Sequence, residues 1–379
     1  MTWEQHAARL ASQITHQGSR WRAPVAATPR HLLVPRWWDR PGTENWARRD
    51  GPADEREWMH AAYGDQTLIT AVGGLHADHA GSGDRPSGRP TSSSTQPGLV
   101  LRMLRHAQVY DGADVLDVAT GPGYSAALLS RRLGDARVTS IDVDPYLTRA
   151  AAERLGGFGL SPRLVSGDAT GPLPGSYDRI VSMVSVRPIP PGWLAALRPG
   201  GRLVTVIART SLIITAGKTG EEWPMTGRVE RDWAMFMPAR TGADYPPSPD
   251  GPRTAGRDRD VGQVTRGRYP VLNVSDSWEL TSMLEVTAPG IDHDYEESGD
   301  GQRTAWMSHP DGSWARASAR GTDDPLVHQG GPRRLWDILD ELRGYWLSHG
   351  YFQLYGAKAL ITPDGTIHLA RGRWKAMIT

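Results

Sequence analysis

Short apolar runs alternate with helical periodicity through the middle of the chain. Helical spacing of apolar residues predicts helices over residues 99–108, 125–134, 146–159 and 190–201. The apolar runs predict buried strands over residues 113–119, 137–144, 163–168, 177–185 and 202–208. Strands that alternate with helices of about ten residues indicate an α/β fold, a doubly wound parallel sheet with helices on both faces.

The residues before this region show other patterns. An opening helix is predicted from the spacing of four apolar side chains, Trp3, Ala7, Leu10 and Ile14. It begins an amino-terminal helical segment that we predict over residues 1–60. Residues 77–98 are almost all small or turn-forming and predict a mobile loop that could close over a substrate as a lid.

The strand–helix rhythm is lost near the carboxyl terminus. We therefore predict a first domain over residues 1–243, a Pro-, Gly- and charge-rich linker at 244–260 and a second, α+β domain at 261–379 that recognises substrate. One strong helix is predicted in the second domain, from Pro332 in its first turn to Gly350 at its end. Its apolar side consists of Leu335, Trp336, Leu339, Leu342 and Trp346.

Composition excludes several classes of protein. The 379 residues include no cysteine, which excludes a disulfide scaffold, a cysteine nucleophile and thiolate metal sites. Lys and Arg number 43 and Asp and Glu 42, so the chain lacks the basic excess of a nucleic-acid binder. The 12 histidines are scattered and show no convincing ligand spacing, so we predict no metal site.

Targeting signals give the expected location. The first residues lack the basic start and apolar run of a signal peptide, and no stretch approaches the roughly 18 apolar residues of a membrane span. We therefore expect a cytoplasmic protein that binds neither membranes nor nucleic acids. A monomer is favoured.

The sharpest motif lies where the first buried strand turns into a helix. Residues 115–124, VLDVATGPGY, place Gly121 and Gly123 where a backbone can approach a ligand closely, next to the free N–H groups of a helix N-terminus. About 20 residues on, Asp142 ends the next strand and can accept both ribose hydroxyls of an adenosine. The third glycine of the dinucleotide fingerprint is missing, which disfavours a nicotinamide oxidoreductase.

Further motifs occur in a specific order around this turn. The sequence reads PRHLLVP at 29–35, AYGD at 62–65, TQP at 95–97, LRPGGRLV at 197–204 and FMP at 236–238. Together with the glycine turn, this series resembles the protein-L-isoaspartate O-methyltransferase family over about residues 29–240. The resemblance implies a class I S-adenosylmethionine-dependent methyltransferase fold, Rossmann-like, with S-adenosyl-L-methionine as cofactor and S-adenosyl-L-homocysteine as product.

The resemblance also assigns residues. Asp142 matches the ribose-binding acid, Asp168 the acid beside adenine, and Thr95 the active-site serine of the family. Ser93 and Ser94 are further candidate catalytic hydroxyls beside Thr95. The implied cofactor-binding residues are Asp117, Ala119, Thr120, Gly121, Gly123, Tyr124, Asp142, Val143, Gly167, Asp168 and Ala169.

Two departures from the family pattern bear on function. Ala119 replaces the first glycine of the turn, and Thr95 replaces the serine after a run of hydroxyl residues. With the long carboxyl-terminal extension, this loop looks like the branch that accompanies ATP-grasp ligases in graspetide biosynthesis. That resemblance implies methylation of an aspartate side chain in a modified ribosomal precursor peptide, after which the ester cyclises to aspartimide or isoaspartate.

Two alternatives remain open. A repair enzyme for isoaspartyl residues in damaged proteins would use the same core. A non-catalytic peptide-binding protein could retain the cofactor fold as a scaffold, although the intact set of acids and glycines argues against it. Methylation of a carboxylate needs no general base, because a carboxylic acid of pKa near 4 is already ionised at neutral pH.

Overall fold

The computed structural model describes residues 1–40, 42, 45–220, 224–242, 245 and 262–379. The amino-terminal part consists of four helices and a small antiparallel sheet. The helices are α1 (Trp3–Ile14), α2 (Arg22–Ala26), α3 (Arg30–Leu33) and α4 (Glu55–Ala62). The strands are β1 (Arg36–Asp39), β2 (Ala47–Asp50), β3 (Leu68–Val72), β4 (Leu75–His76) and β5 (Pro90–Ser94), in the order β2-β1-β3-β4, with β5 also paired to β3.

Two expectations for this part are wrong. The segment 1–60 is not purely helical, because β1 and β2 pair there and the Arg49–Asp39 ion pair joins them across the ladder at 2.8 Å. The predicted loop at 77–98 contains β5, whose ladder with β3 is shifted in register at two points. A run of Thr and Ser carries no apolar alternation, so nothing local marks it as a strand.

The centre of the molecule is a ten-stranded sheet. Its helices are α5 (Pro97–His106), α6 (Tyr124–Leu133), α7 (Pro145–Gly156) and α8 (Pro191–Ala196). Its first seven strands are β6 (Val115–Val118), β7 (Val138–Asp142), β8 (Arg163–Ser166), β9 (Tyr177–Val186), β10 (Leu197–Ile207), β11 (Leu212–Gly217) and β12 (Met225–Trp233). The predicted helices and strands of this region are confirmed, except that the helix predicted to residue 201 stops at Ala196 and the following residues open β10.

Strand order defines the class of fold. The strands β8-β7-β6-β9-β10 are parallel, and the order of connection reverses between β6 and β9. Neighbouring residues face opposite sides: Val115 joins the core with α5 and α6, whereas Leu116 joins the core with α8. The predicted doubly wound α/β fold is confirmed, and the reversal marks the edge where such folds bind ligands.

The carboxyl-terminal residues form a second sheet and also complete the first. The second sheet contains β13 (Gln263–Arg266), β14 (Asp292–Glu297), β15 (Gln302–Ser308), β16 (Trp314–Arg320) and β17 (Leu326–Gly330), with helices α9 (Trp278–Thr287) and α10 (Leu335–Ser348). The last strands, β18 (Lys358–Ile361), β19 (Ile367–Arg371) and β20 (Trp374–Ile378), extend the large sheet from β12. The division at residue 261 predicted that residues 358–378 belong to the second domain. In the structure they belong to the large sheet instead.

Other details of this region refine the predictions. The helix predicted over 332–350 exists but begins at Leu335, so Pro332 precedes it, and Gly350 follows its end with a φ of +67°. The predicted linker at 244–260 lies outside the described residues except for Tyr245. Glu285 of α9 accepts hydrogen bonds from Arg187 and Arg209, which follow β9 and β10, and so ties the second sheet's helices to the first sheet. Among the described residues, no helix has the length and apolar character needed to cross a membrane.

Candidate active site

The turn between β6 and α6 lies at the carboxyl edge of the parallel strands. Three of its residues have positive φ angles: Ala119 at +73°, Gly121 at +51° and Gly123 at +96°. The N–H groups of Ala119 and Thr120 both donate to the carbonyl of Ile141 on β7, which fixes the turn against the neighbouring strand. Alanine in this region is strained, because its Cβ crowds the backbone.

The end of β5 lies directly against this turn. A Cβ added at Gly121 would approach the carbonyl oxygen of Ser93 to 3.1 Å, so this tight contact favours glycine in addition to its φ angle. This contact places the hydroxyl residues of β5 next to the glycine turn. The sequence motifs at 93–97 and 117–124, far apart along the chain, thus meet at one place.

Hydroxyl groups along β5 divide between two sides. Ser93 and Thr95 line a cavity beside the turn, whereas the Ser94 hydroxyl accepts a hydrogen bond from Arg30 on the other side, at 3.2 Å. Ser92 also borders the cavity, but its hydroxyl accepts a hydrogen bond from the Thr70 hydroxyl at 2.8 Å. Ser93 and Thr95 therefore remain candidate catalytic hydroxyls, whereas Arg30 holds the Ser94 hydroxyl outside the cavity lining.

Arg30, from the PRH motif, anchors the segment that carries Thr95. Its side chain is fully buried, and its guanidinium donates to the carbonyls of Gln66, Ser94 and Thr95 at 3.0–3.3 Å and of Ala62 at 2.8 Å. Desolvation lowers the pKa of Arg30 to about 10, so it stays charged at neutral pH. Next to it, His31 is buried and bonded to the Tyr63 hydroxyl, away from the cavity.

Asp142 ends β7 at the edge of the cavity. Its two carboxylate oxygens accept the N–H groups of Gly121 at 2.9 Å and Asp144 at 3.1 Å. Burial raises the pKa of Asp142, and the nearby charge of Arg240 acts in the opposite direction. A carboxylate so placed keeps lone pairs for hydroxyl donors of a ligand.

Asp168 follows β8 and is exposed to solvent. It accepts the N–H and hydroxyl of Thr170, at 2.8 and 2.7 Å, which shapes the turn at the cavity's end. The neighbouring Ala169 carbonyl accepts the Trp193 indole N–H at 2.6 Å. The indole thereby becomes one apolar wall of the cavity, suited to a flat ring.

Together these elements border a cavity with about 710 Å³ of empty space, part of which is open solvent at its mouth. Its lining includes eight of the residues predicted from the sequence: Ser93, Thr95, Ala119, Gly121, Asp142, Val143, Asp168 and Ala169.

The other predicted site residues lie outside the cavity lining. Asp117 is buried beneath the turn, where its Oδ2 accepts the hydroxyls of Ser125 and Ser140, both at 2.8 Å. Thr120 pairs with the same Ser140. The remaining predicted residues off the lining are Ser94, Gly123, Tyr124 and Gly167.

Two of these residues have packing roles instead. A side chain at Gly123 would meet Ala151 of α7 at 3.3 Å, so the glycine allows the helices to pack closely. Tyr124 is buried with its ring 5.4 Å from the Arg30 guanidinium. Tyr124 therefore packs behind the cavity lining, and its predicted role in cofactor binding stays a prediction.

Several lining residues carried no role in the sequence prediction. The segment 237–240 and Tyr245 form one wall, although only the FMP motif pointed to this part of the chain. Thr91 also lines the cavity, and its buried hydroxyl has no hydrogen-bond partner within the described part of the chain. A buried hydroxyl without a partner is unfavourable, which makes Thr91 a further candidate for ligand contact.

The sheet order and the glycine turn define a class I methyltransferase fold. The family description "Protein-L-isoaspartate(D-aspartate) O-methyltransferase (PCMT)" matches residues 81–229. The protein-L-isoaspartate O-methyltransferase of Anaeromyxobacter dehalogenans is 34% identical over 162 residues, which cover 39% of this chain and 77% of that protein. The chain thus belongs to the protein-L-isoaspartate O-methyltransferase family.

Other similarities have narrower coverage or lower identity. The protein of the same name from Dinoroseobacter shibae is 34% identical over 122 residues, which cover 31% of this chain and 56% of that protein. A solved structure named protein-L-isoaspartate O-methyltransferase aligns with 99% of both chains at 17% identity, with a TM-score of 0.49.

Proposed function

We propose that the protein transfers a methyl group from S-adenosyl-L-methionine to the side-chain carboxylate of an aspartate in a peptide. One observation carries this proposal: the hydroxyl-bearing end of β5 lies against the glycine turn, with the Ser93 carbonyl oxygen 3.1 Å from where a Gly121 Cβ would be. A cofactor-type pocket and neutral hydroxyl donors therefore share a single cavity. Membership of a carboxyl methyltransferase family agrees with this reading.

The residues of the cavity fit the cofactor. Gly121 borders the cavity with its backbone, Asp142 supplies carboxylate lone pairs for ribose hydroxyls, and Trp193 provides an apolar wall for a flat base. S-adenosyl-L-methionine supplies an activated methyl group on a sulfonium. Asp168 and Val143 would complete the adenosine side of the pocket.

The acceptor side needs orientation rather than proton removal. A carboxylate is already ionised at neutral pH, and strong ion pairing to its attacking oxygen would hold back the displacement. The hydroxyls of Ser93 and Thr95 can orient one oxygen by neutral hydrogen bonds and leave the other free to attack. Arg30 stays outside the cavity lining and acts on the Thr95 backbone, which keeps its charge off the acceptor.

A dedicated peptide is the substrate that we favour. The chain adds a second sheet and two helices to the methyltransferase core, and a region of that size would tend to restrict access to the cavity. The expected substrate is an aspartate in a graspetide-type precursor. The adjacent backbone nitrogen then attacks the carbonyl of the methyl ester, and methanol leaves with the amide proton as the aspartimide ring closes. Repair of isoaspartyl residues in damaged proteins is the alternative that family membership supports.

Mass spectrometry of peptides incubated with the protein and cofactor distinguishes these substrates. A cyclised aspartate-containing precursor should gain one methyl group and then lose methanol, while a short linear isoaspartyl peptide should react poorly. Efficient methylation of the isoaspartyl peptide, with none on the precursor, would instead support repair. Failure to bind S-adenosyl-L-homocysteine in calorimetry would contradict methyl transfer altogether.

Replacing Thr95 tests the role of the hydroxyls. Thr95→Val should lower kcat about tenfold or more, because one hydrogen bond to the acceptor is lost, with little change in cofactor affinity. Thr95→Ser keeps the hydroxyl and serves as the matched control, which should retain most of the activity. Full activity in the valine variant would transfer the role to Ser93.

A further inference from the structure

Arg240 is the single cationic residue among the described residues that line the cavity. Its side chain is only 6% exposed, and its Nη2 lies 3.8 Å from Oδ2 of Asp144. Its Nη1 donates to the carbonyl of Gly242. A guanidinium has five N–H donors, so it can hold a loop and a carboxylate at the same time.

The backbone before Arg240 is fixed to a different strand from the one that carries Asp144. The Ser185 N–H on β9 donates to the Met237 carbonyl at 2.9 Å, and the Ala239 N–H donates to the Ser185 carbonyl at 2.8 Å. Asp144, by contrast, caps the start of α7 just after β7. Arg240 therefore bridges two separately anchored sides of the cavity.

The acidic side contains two carboxylates close together in sequence. Asp142 is almost completely buried, and both burial and the Asp144 charge raise its pKa. The N–H groups of Gly121 and Asp144 and the charge of Arg240 lower it. Asp117, on the adjoining strand β6, also senses the Asp142 charge, and His76 senses that of Asp144.

A positive charge in this cavity would hinder methyl transfer at two positions. Beside a sulfonium it would repel the cofactor, and on the acceptor oxygen it would reduce nucleophilicity. Its contact with Asp144 instead directs the Arg240 guanidinium to the end of β7, the segment 142–144 that carries both carboxylates and is called the acidic loop below. We propose that Arg240 is a positioning residue that joins the segment 237–242 to the acidic loop and keeps Asp142 ready to accept the ribose hydroxyls. This inference rests on the proposed use of S-adenosyl-L-methionine.

The sign of the resulting pH dependence follows from charge. Only the ionised form of Asp142 accepts two hydroxyl donors, so cofactor affinity falls as pH decreases through the pKa of Asp142. Loss of the Arg240 charge removes a stabilising interaction of that ionised form. The fall in affinity should then begin about one pH unit higher, which is the size expected for loss of a neighbouring opposite charge.

Calorimetry with S-adenosyl-L-homocysteine from pH 5 to 9 tests this inference. Arg240→Met should bind more weakly than the unmodified protein at the acidic end, by up to about tenfold, and nearly as well at the basic end. Arg240→Lys keeps the charge without the planar fork and should restore much of the original pH profile. Arg149→Met removes an equal charge from an exposed position on α7 and should leave the profile unchanged.

Three results would overturn the inference. They are an unchanged profile in Arg240→Met, an equal loss of affinity at every pH, and a profile of Arg240→Lys that matches the methionine variant. Thermal unfolding of each variant checks that it is folded. An unmodified protein that fails to bind S-adenosyl-L-homocysteine would instead contradict the proposed function itself, which separates the two failures.

Discussion

Two buried carboxylates of the same sheet behave in opposite ways. Asp117 lies in the parallel half, on β6 beneath the cavity, and Glu230 lies in the antiparallel half, on β12. Burial raises the pKa of Asp117 to about 7, despite hydrogen bonds from Ser140 and Ser125. For Glu230, burial is outweighed by a hydrogen bond from the Thr215 hydroxyl, one from a guanidinium and nearby positive charge, so its pKa is lowered.

The contrast shows how the two halves divide their tasks. Oε1 of Glu230 accepts hydrogen bonds from the Thr215 hydroxyl, from Arg228 at 3.1 Å and from Arg202 at 3.4 Å. Asp117 has an oxygen without a hydrogen-bond partner in the described part of the chain, two residues before the strained Ala119. Unfavourable features therefore gather at the edge that carries the cavity, as expected for a functional site, and the antiparallel half supplies compensated interactions.

Removal of Glu230 should give the largest loss of stability. Glu230→Ala leaves several cations and the Thr215 hydroxyl without their acceptor, and we expect the free energy of unfolding to fall by about 3 kcal/mol in urea denaturation at pH 7. Cofactor affinity should not change, because β12 lies away from the cavity. Asp232→Ala, at a half-exposed position on the same strand, is the control and should lose less than about 1 kcal/mol. If Glu230→Ala kept its stability but lost cofactor affinity, the antiparallel half would serve cofactor binding rather than stability, which contradicts the proposed division of tasks.

Asp117 should make the free energy of unfolding depend on pH. An unfolded aspartate titrates near 3.9, and the folded pKa is about 7, so the folded protein holds an extra proton between these values. The free energy of unfolding therefore falls as pH rises, by up to about 1.4 kcal/mol per unit. In Asp117→Asn this contribution is absent, so the stability of the unmodified protein relative to the variant should fall by about 2 kcal/mol from pH 5 to 6.5.

The matched control for this experiment is a surface acid. Asp111 is 71% exposed, and Asp111→Asn should follow the unmodified protein across the same pH range. Urea denaturation without cofactor measures all three proteins. If Asp117→Asn and the unmodified protein had the same pH dependence, the raised pKa would be refuted.

The parallel half could be predicted because its signals are local. Apolar strands and helical periodicity alternate within about 100 residues, and the glycine turn and Asp142 occupy the expected strand ends. β5 gave no such signal, since Thr and Ser lack an apolar pattern and its ladder with β3 is a tertiary interaction. Once β5 is known to run beside the glycine turn, Ser93 and Thr95 can be placed at the cavity, and the hydrogen bond from Arg30 explains why the Ser94 hydroxyl is not there.

The carboxyl-terminal strands and Arg240 show a second limit of sequence reasoning. β18 pairs with β12 across more than 120 residues, and nothing in its short alternation names that partner. Arg240 follows the recognised FMP motif, but its approach to Asp144 depends on how Ser185 holds the segment. The sequence did not predict contacts between residues that lie far apart along the chain.

The smallest predicted effect tests strain in the turn. Ala119 has a φ of +73°, which costs an alanine about 1 kcal/mol or more, whereas glycine adopts it freely but loses more entropy on folding. Ala119→Gly should therefore stabilise the protein by about 0.5–1 kcal/mol and tighten binding of S-adenosyl-L-homocysteine a few-fold, since the methyl group borders the cavity. Gly121→Ala makes the opposite change at a φ of +51°, against the Ser93 carbonyl, and should weaken both properties. Denaturation and calorimetry on this pair decide the matter: destabilisation by both substitutions would mean that Ala119 is not strained and that the parallel half is better compensated than its geometry indicates.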